Sequence, residues 1–138
     1  LGDGVFWYSL MVALPVVFGL TGLHASRHML ATGGVALLLY KSLKGMTRRA
    51  RPCHHAHDIA ALTPPLDQYS FPSGHTLHAV VFTSVAIHYF PVLAWILIPF
   101  TTLIALSRII LGLHYPSDVL MATLIGLGLA YAAISAVV

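Results

Sequence analysis

The chain has 138 residues, of which 58% are hydrophobic and only 8% charged, and its mean hydropathy is +0.86. A soluble domain carries about 25% charged residues, so this surface suits a bilayer rather than water. The formal charge of +3 is small and concentrated between Lys41 and Arg51, which excludes a nucleic-acid surface, and the single cysteine, Cys53, excludes an internal disulfide.

Five apolar stretches follow one another: Val5–Leu23, Met29–Leu43, Thr76–Phe90, Val92–Leu111 and Ser117–Val138. A membrane helix needs about 20 apolar residues, and lipid leaves no partner for unpaired backbone groups, so each stretch is expected to be helical. The second and third are short and borrow flanking residues. The predicted fold is therefore all-α, a polytopic membrane helix bundle of about five transmembrane helices. Pro15 and Pro99 fall inside spans as kink sites. Pro91 and Pro116 suit first-turn positions. Trp7, Tyr8, Tyr40, Tyr89 and Trp95 lie near span ends, as interfacial aromatics do. His24, Arg27 and His28 are expected in a short turn between the first two spans. Ala122, Gly126 and Ala130 recur every fourth residue and allow close helix packing, with a dimer interface as the weaker alternative. No signal-peptide pattern precedes Val5, and the chain is expected to be one domain over residues 1–138 with further residues, including a sixth helix, upstream.

Three short motifs carry phosphate-suited chemistry. Lys44-x6-Arg51-Pro52 supplies an ammonium and a planar guanidinium, both suited to phosphate oxygens. Basic residues also mark membrane-flanking loops, and Lys41, Arg48 and Arg49 are assigned to that background. Pro72-Ser73-Gly74-His75 opens an apolar helix, whose unpaired N–H groups and dipole form an anion site. There Ser73 caps the helix or donates to a phosphate oxygen, Gly74 lets the backbone approach a ligand, and His75 suits a general acid. Ser107-Arg108-x5-His114-x3-Asp118 places a cation at a span end and sets His114 just before a helix whose first turn holds Asp118. A carboxylate so placed would orient the imidazole and leave its other nitrogen free to attack. The plainer alternative is an interfacial histidine beside a helix-start acid. Threading five spans back and forth brings all three motifs to one membrane face, although nothing in their spacing required it.

Taken together, these signatures resemble the type 2 phosphatidic acid phosphatase (PAP2) superfamily, from Lys44 to Asp118, with every fixed position present. Members often have six membrane helices, and five are counted here. The resemblance implies an integral-membrane, metal-independent lipid phosphate phosphatase without a cofactor. His114 would form a phosphohistidine, supported by Asp118, and His75 would protonate the leaving alcohol. Lys44, Arg51, Ser73, Gly74 and Arg108 would bind the phosphate. The expected substrate is a phosphorylated lipid such as phosphatidic acid, phosphatidylglycerol phosphate or a polyprenyl diphosphate. Its expected setting is the bacterial inner membrane with the site at the periplasmic face. A non-catalytic phosphate-lipid binding or transport protein is the alternative. The loop cluster Cys53, His54, His55, His57 and Asp58 is ligand-rich but lacks the paired spacing of a zinc site, so no metal is assigned. Oligomeric state is not legible in these patterns.

Overall fold

The computed structural model describes residues 4–52 and 68–137, and the described residues are helical apart from the connections. The described residues hold four helices: α1 (Val5–Thr47), α2 (Gly74–Tyr89), α3 (Ala94–Ile110, entered through a 3-10 turn at Pro91–Leu93) and α4 (Pro116–Ser135). Among the described residues, three segments are long and apolar enough to cross a membrane: Val5–Thr47, Pro91–Ile110 and Pro116–Ser135. Large apolar side chains face outward along them, among them Val16 and Leu38 on α1, Trp95 and Leu103 on α3, and Leu124 and Tyr131 on α4. Such a continuous apolar exterior is the surface of an integral membrane protein.

The first two predicted spans belong to one helix broken at Gly19, so five separate helices are not what the described residues contain. Gly19 adopts φ 60°, ψ −134°, a conformation that residues with a Cβ avoid. The chain reverses there, earlier than the turn expected around His24 to His28, which are helical. The two limbs lie antiparallel. Gly22 packs so closely on the Leu14 carbonyl that a Cβ would sit 2.0 Å from its oxygen. Ser26 donates to the Met11 carbonyl at 2.6 Å. That carbonyl is the one that Pro15, lacking an N–H, leaves without its helical partner. The serine restores the missing bond from the opposite limb.

Beyond the reversal, α1 buries Gly22, Ala25, Ser26, Met29, Thr32, Gly33, Ala36 and Lys44. This is the three-and-four spacing of a helix with one packed face. Its small residues let α2 approach, and a Cβ at Gly33 would lie 2.6 Å from the Phe82 ring. α2 is the axis of the bundle, with Leu77, Ala79, Val80, Val81, Phe82, Val85 and Ala86 all buried. Trp7 is 2% exposed and sits 5.4 Å from the Phe82 ring. It is thus a core residue and not the interfacial aromatic its position suggested. Thr83 and Thr101 join α2 to α3 by a buried hydroxyl pair at 2.6 Å. On α4, Ala122, Gly126 and Ala130 face the core, and Gly126 accommodates Val80 of α2. The small-residue stripe therefore packs inside this chain.

Candidate active site

The C-terminal ends of α1 and α3 and the N-terminal ends of α2 and α4 meet at one end of the bundle. Main-chain bonds tie these ends together. The Ser73 N–H donates to the Asp118 carbonyl at 3.4 Å, and the Leu113 and His114 N–H groups donate to the Arg108 carbonyl at 3.2 and 3.1 Å. Gly112, at φ 67°, makes the left-handed turn that ends α3 and swings His114 back over its terminus. Pro116 then opens α4, so His114 is held between two helices.

His114 is only 5% exposed, and both its ring nitrogens have neighbours. Nδ1 lies 2.6 Å from the Ser70 carbonyl, and Nε2 lies 3.3 Å from an Arg51 guanidinium nitrogen. A carbonyl only accepts and a guanidinium only donates. Both contacts therefore call for the same neutral tautomer, with the proton on Nδ1 and the lone pair on Nε2. The same Arg51 nitrogen donates to the Leu113 carbonyl at 2.7 Å, and the arginine is buried.

Asp118 is fully buried at the third position of α4. Its Oδ2 accepts the Tyr115 N–H at 2.9 Å, and its Oδ1 accepts from Arg49 at 2.7 Å. Oδ2 stands 4.0 Å from His114 Nδ1, beyond hydrogen-bond reach. The group in contact with Nδ1 is thus the Ser70 carbonyl, where sequence reasoning had expected the carboxylate.

Lys44 is buried in the last turn of α1, with Nζ 4.6 Å from the centre of the Tyr40 ring. Ser73 occupies the N-cap position of α2, but its hydroxyl pairs with that of Thr76 at 3.0 Å and makes no capping bond. Gly74 has a packing role: a Cβ there would lie 2.6 Å from the Tyr40 ring. His75 is half-buried in the first turn of α2. Arg108 is half-buried in the last turn of α3, with Nε donating to the Ser107 hydroxyl at 3.2 Å. His78 turns back to its own helix, with Nδ1 2.9 Å from the Gly74 carbonyl.

Two contributors escaped the sequence reading. Ser70 acts through a carbonyl, which every residue has. Arg49 is not part of the same basic background as Arg48: Arg48 donates to the nearby Gly45 carbonyl, whereas Arg49 reaches Asp118. Ala50, between Arg49 and Arg51, bridges Tyr69, and the fold sets which partner each arginine meets. The cluster from Cys53 to Asp58, and Asp67, lie outside the described residues. Among the described residues, no three metal-ligand side chains converge.

Comparison with known proteins extends the match. The model of the PAP2 superfamily matches residues 25–138. Undecaprenyl-diphosphatase BcrC of Bacillus subtilis is 32% identical over 115 residues, covering 82% of this chain and 58% of the relative. Decaprenylphosphoryl-5-phosphoribose phosphatase of Mycobacterium tuberculosis is 40% identical over 88 residues, covering 61% of this chain and 45% of the relative. The chain thus spans about half the length of these curated relatives. The crystal structure of a transmembrane PAP2-type phosphatidylglycerolphosphate phosphatase from Bacillus subtilis superposes with a TM-score of 0.78 at 28% identity, covering 97% of this chain and 70% of that one. With the family model covering most of the sequence, and the helical frame and motif end both accounted for, the chain belongs to the PAP2 superfamily.

Proposed function

We propose that this chain is the membrane-embedded catalytic part of a lipid phosphate phosphatase. In the proposed reaction, the Nε2 lone pair of His114 attacks phosphorus and the bond to the lipid oxygen breaks. His75 gives the departing oxygen a proton, leaving a phosphohistidine. Water then attacks phosphorus while His75 takes up its proton. The P–N bond breaks, releasing inorganic phosphate and restoring the imidazole. Lys44, Arg51 and Arg108 supply positive charge to the phosphate oxygens, Ser73 and the α2 N-terminus supply donors, and Gly74 keeps that first turn close to Tyr40. Phosphoryl transfer needs mainly such positioning and charge stabilisation. Asp118 supports the cationic imidazole through space.

The observation that carries this reading is the pair of contacts on the His114 ring, from which its tautomer follows. Ser70 and Arg51 act from opposite sides of the ring, and both favour a lone pair on Nε2. Arg51 already touches that nitrogen, so a guanidinium is in place where a phosphoryl group would arrive.

The three relatives are named for a polyprenyl diphosphate, a decaprenylphosphoryl phosphoribose and phosphatidylglycerolphosphate. These share a phosphate joined to a long apolar tail, and a headgroup-level site at one end of a membrane bundle suits that class. The two limbs of α1 count separately in this reading, giving five passages through the bilayer and a single PAP2 domain over residues 1–138. The site is assigned to the periplasmic side of a bacterial inner membrane; labelling of Cys53 by an impermeant maleimide in intact cells tests that side.

The deciding assay is phosphate release by detergent-solubilised protein from phosphatidic acid, phosphatidylglycerol phosphate and undecaprenyl diphosphate, with and without chelator. Release from at least one lipid, unchanged by chelator, is expected. Binding without release from any of them would favour a phosphate-lipid carrier, and loss restored by zinc would revive a metal site in the histidine loop.

A further inference from the structure

We propose that Arg49 is a positioning residue that sets the distance between Asp118 and His114, a role that rests on the phosphatase reading above. Two lines of contact converge on it. Through its side chain, one guanidinium nitrogen donates to Asp118 Oδ1 at 2.7 Å and to the Ser117 hydroxyl at 2.9 Å. The guanidinium carbon lies 4.2 Å from the centre of the Tyr115 ring, a cation–π contact that fixes its plane. Through its main chain, the Arg49 carbonyl accepts the Ser70 N–H at 2.8 Å. Ser70 also donates its hydroxyl to the Ala50 carbonyl at 3.2 Å, and its own carbonyl holds His114 Nδ1. One residue thus grips the carboxylate with its side chain and the imidazole's anchor with its backbone.

This dual grip has a chemical consequence. A fully buried carboxylate needs a counter-charge and filled acceptor positions. Arg49 holds Oδ1 and the Tyr115 N–H holds Oδ2, which fixes the carboxylate's plane, while Nδ1 is engaged by the Ser70 carbonyl and Oδ2 stays 4.0 Å away. When Nε2 bonds phosphorus the ring becomes cationic. A carboxylate fixed at that distance stabilises the cation while the Nδ1–H goes on donating to the Ser70 carbonyl. Without Arg49, Oδ1 loses its partner and the carboxylate can rotate out of place. The guanidinium nitrogen is engaged by Asp118 and Ser117, so on this proposal its contribution falls on the chemical step and not on lipid binding.

The test is steady-state kinetics of the full chain in detergent, with inorganic phosphate as a competing probe, for Arg49→Gln, Arg49→Lys, Asp118→Asn and the double variant Arg49→Gln/Asp118→Asn. Arg49→Gln is expected to lower kcat between about 10- and 100-fold, the range for a misplaced supporting group, with KM and phosphate inhibition within about twofold of wild type. Arg49→Lys, which keeps the charge, should recover part of that loss. The double variant should be no slower than Asp118→Asn alone, because Arg49 acts through the carboxylate. A raised KM with unchanged kcat would make Arg49 a phosphate ligand and overturn the proposal. Additive losses in the double variant, or a wild-type rate for Arg49→Gln, would overturn it equally. An inactive wild type would overturn the phosphatase reading and this inference with it, whereas an active wild type with an indifferent Arg49→Gln overturns this inference alone.

Discussion

His114 and His28 sit at opposite ends of the helix bundle, the first against Arg51 and the second against Tyr89. At the motif end, the His114 ring is held from both sides by groups from separate segments: Ser70 ahead of α2 and Arg51 beyond α1. At the far end, His28 Nδ1 lies 3.1 Å from the Tyr89 hydroxyl, while its Nε2 is buried with no hydrogen-bond partner among the described residues. His24, Arg27 and His88 nearby are exposed. Lys44, Arg51, Ser70, Ser73, His114 and Asp118 are buried at the motif end. The two ends share histidine, arginine and tyrosine, but among the described residues the carboxylate, Asp118, stands at the motif end alone. They differ in how many independent chain segments constrain each group, and that constraint turns a basic, histidine-rich surface into a site with a defined tautomer and a fixed carboxylate.

The contrast can be broken most sharply at His114. Replacing it by alanine should reduce phosphate release by about 10⁴-fold or more, the scale for loss of a nucleophile, with elution of the purified protein unchanged. Retained turnover would remove the nucleophile from the scheme. Arg51→Lys keeps the charge but loses the planar guanidinium, one nitrogen of which meets both the Leu113 carbonyl and His114. It should lower kcat/KM by about 10²-fold, and a near-normal rate would mean that point charge suffices. Gly74→Ala should force the Tyr40 ring aside and destabilise the protein by about 1–3 kcal/mol in thermal unfolding. Combining it with Tyr40→Leu should restore part of that stability, whereas equal loss in both backgrounds would show that Tyr40 is not the obstacle. The smallest effect is expected at the far end. His28→Phe should leave phosphate release within about twofold of wild type, as befits a group about 24 Å along α1 from Lys44. A loss comparable to Arg51→Lys would erase the distinction between the two ends.

Much of the motif end was legible because its residues carry unusual chemistry at helix boundaries. Lys44 ends α1, Ser73 precedes α2 and Pro116 opens α4, as capping and proline rules anticipate. The reversal at Gly19 was hidden because hydropathy registers an apolar run without its direction. The clue was the pairing of Pro15, which frees a carbonyl, with a glycine four residues on. Trp7 was misassigned because an indole near a span end suits either the interface or the core, and only the facing Phe82 decides between them. Ser70 and Arg49 were missed for a different reason. Their work depends on which backbone atom or carboxylate lies opposite, and the fold alone brings those partners together.

The central claim is a covalent intermediate on one imidazole nitrogen. The most direct measurement is rapid acid-free quenching of the protein during turnover of a lipid carrying radiolabelled phosphate, followed by peptide mapping. The account predicts label on His114 that is stable to base, lost in acid and absent from His114→Ala. Turnover with no bound label, or label on any other residue, would contradict it.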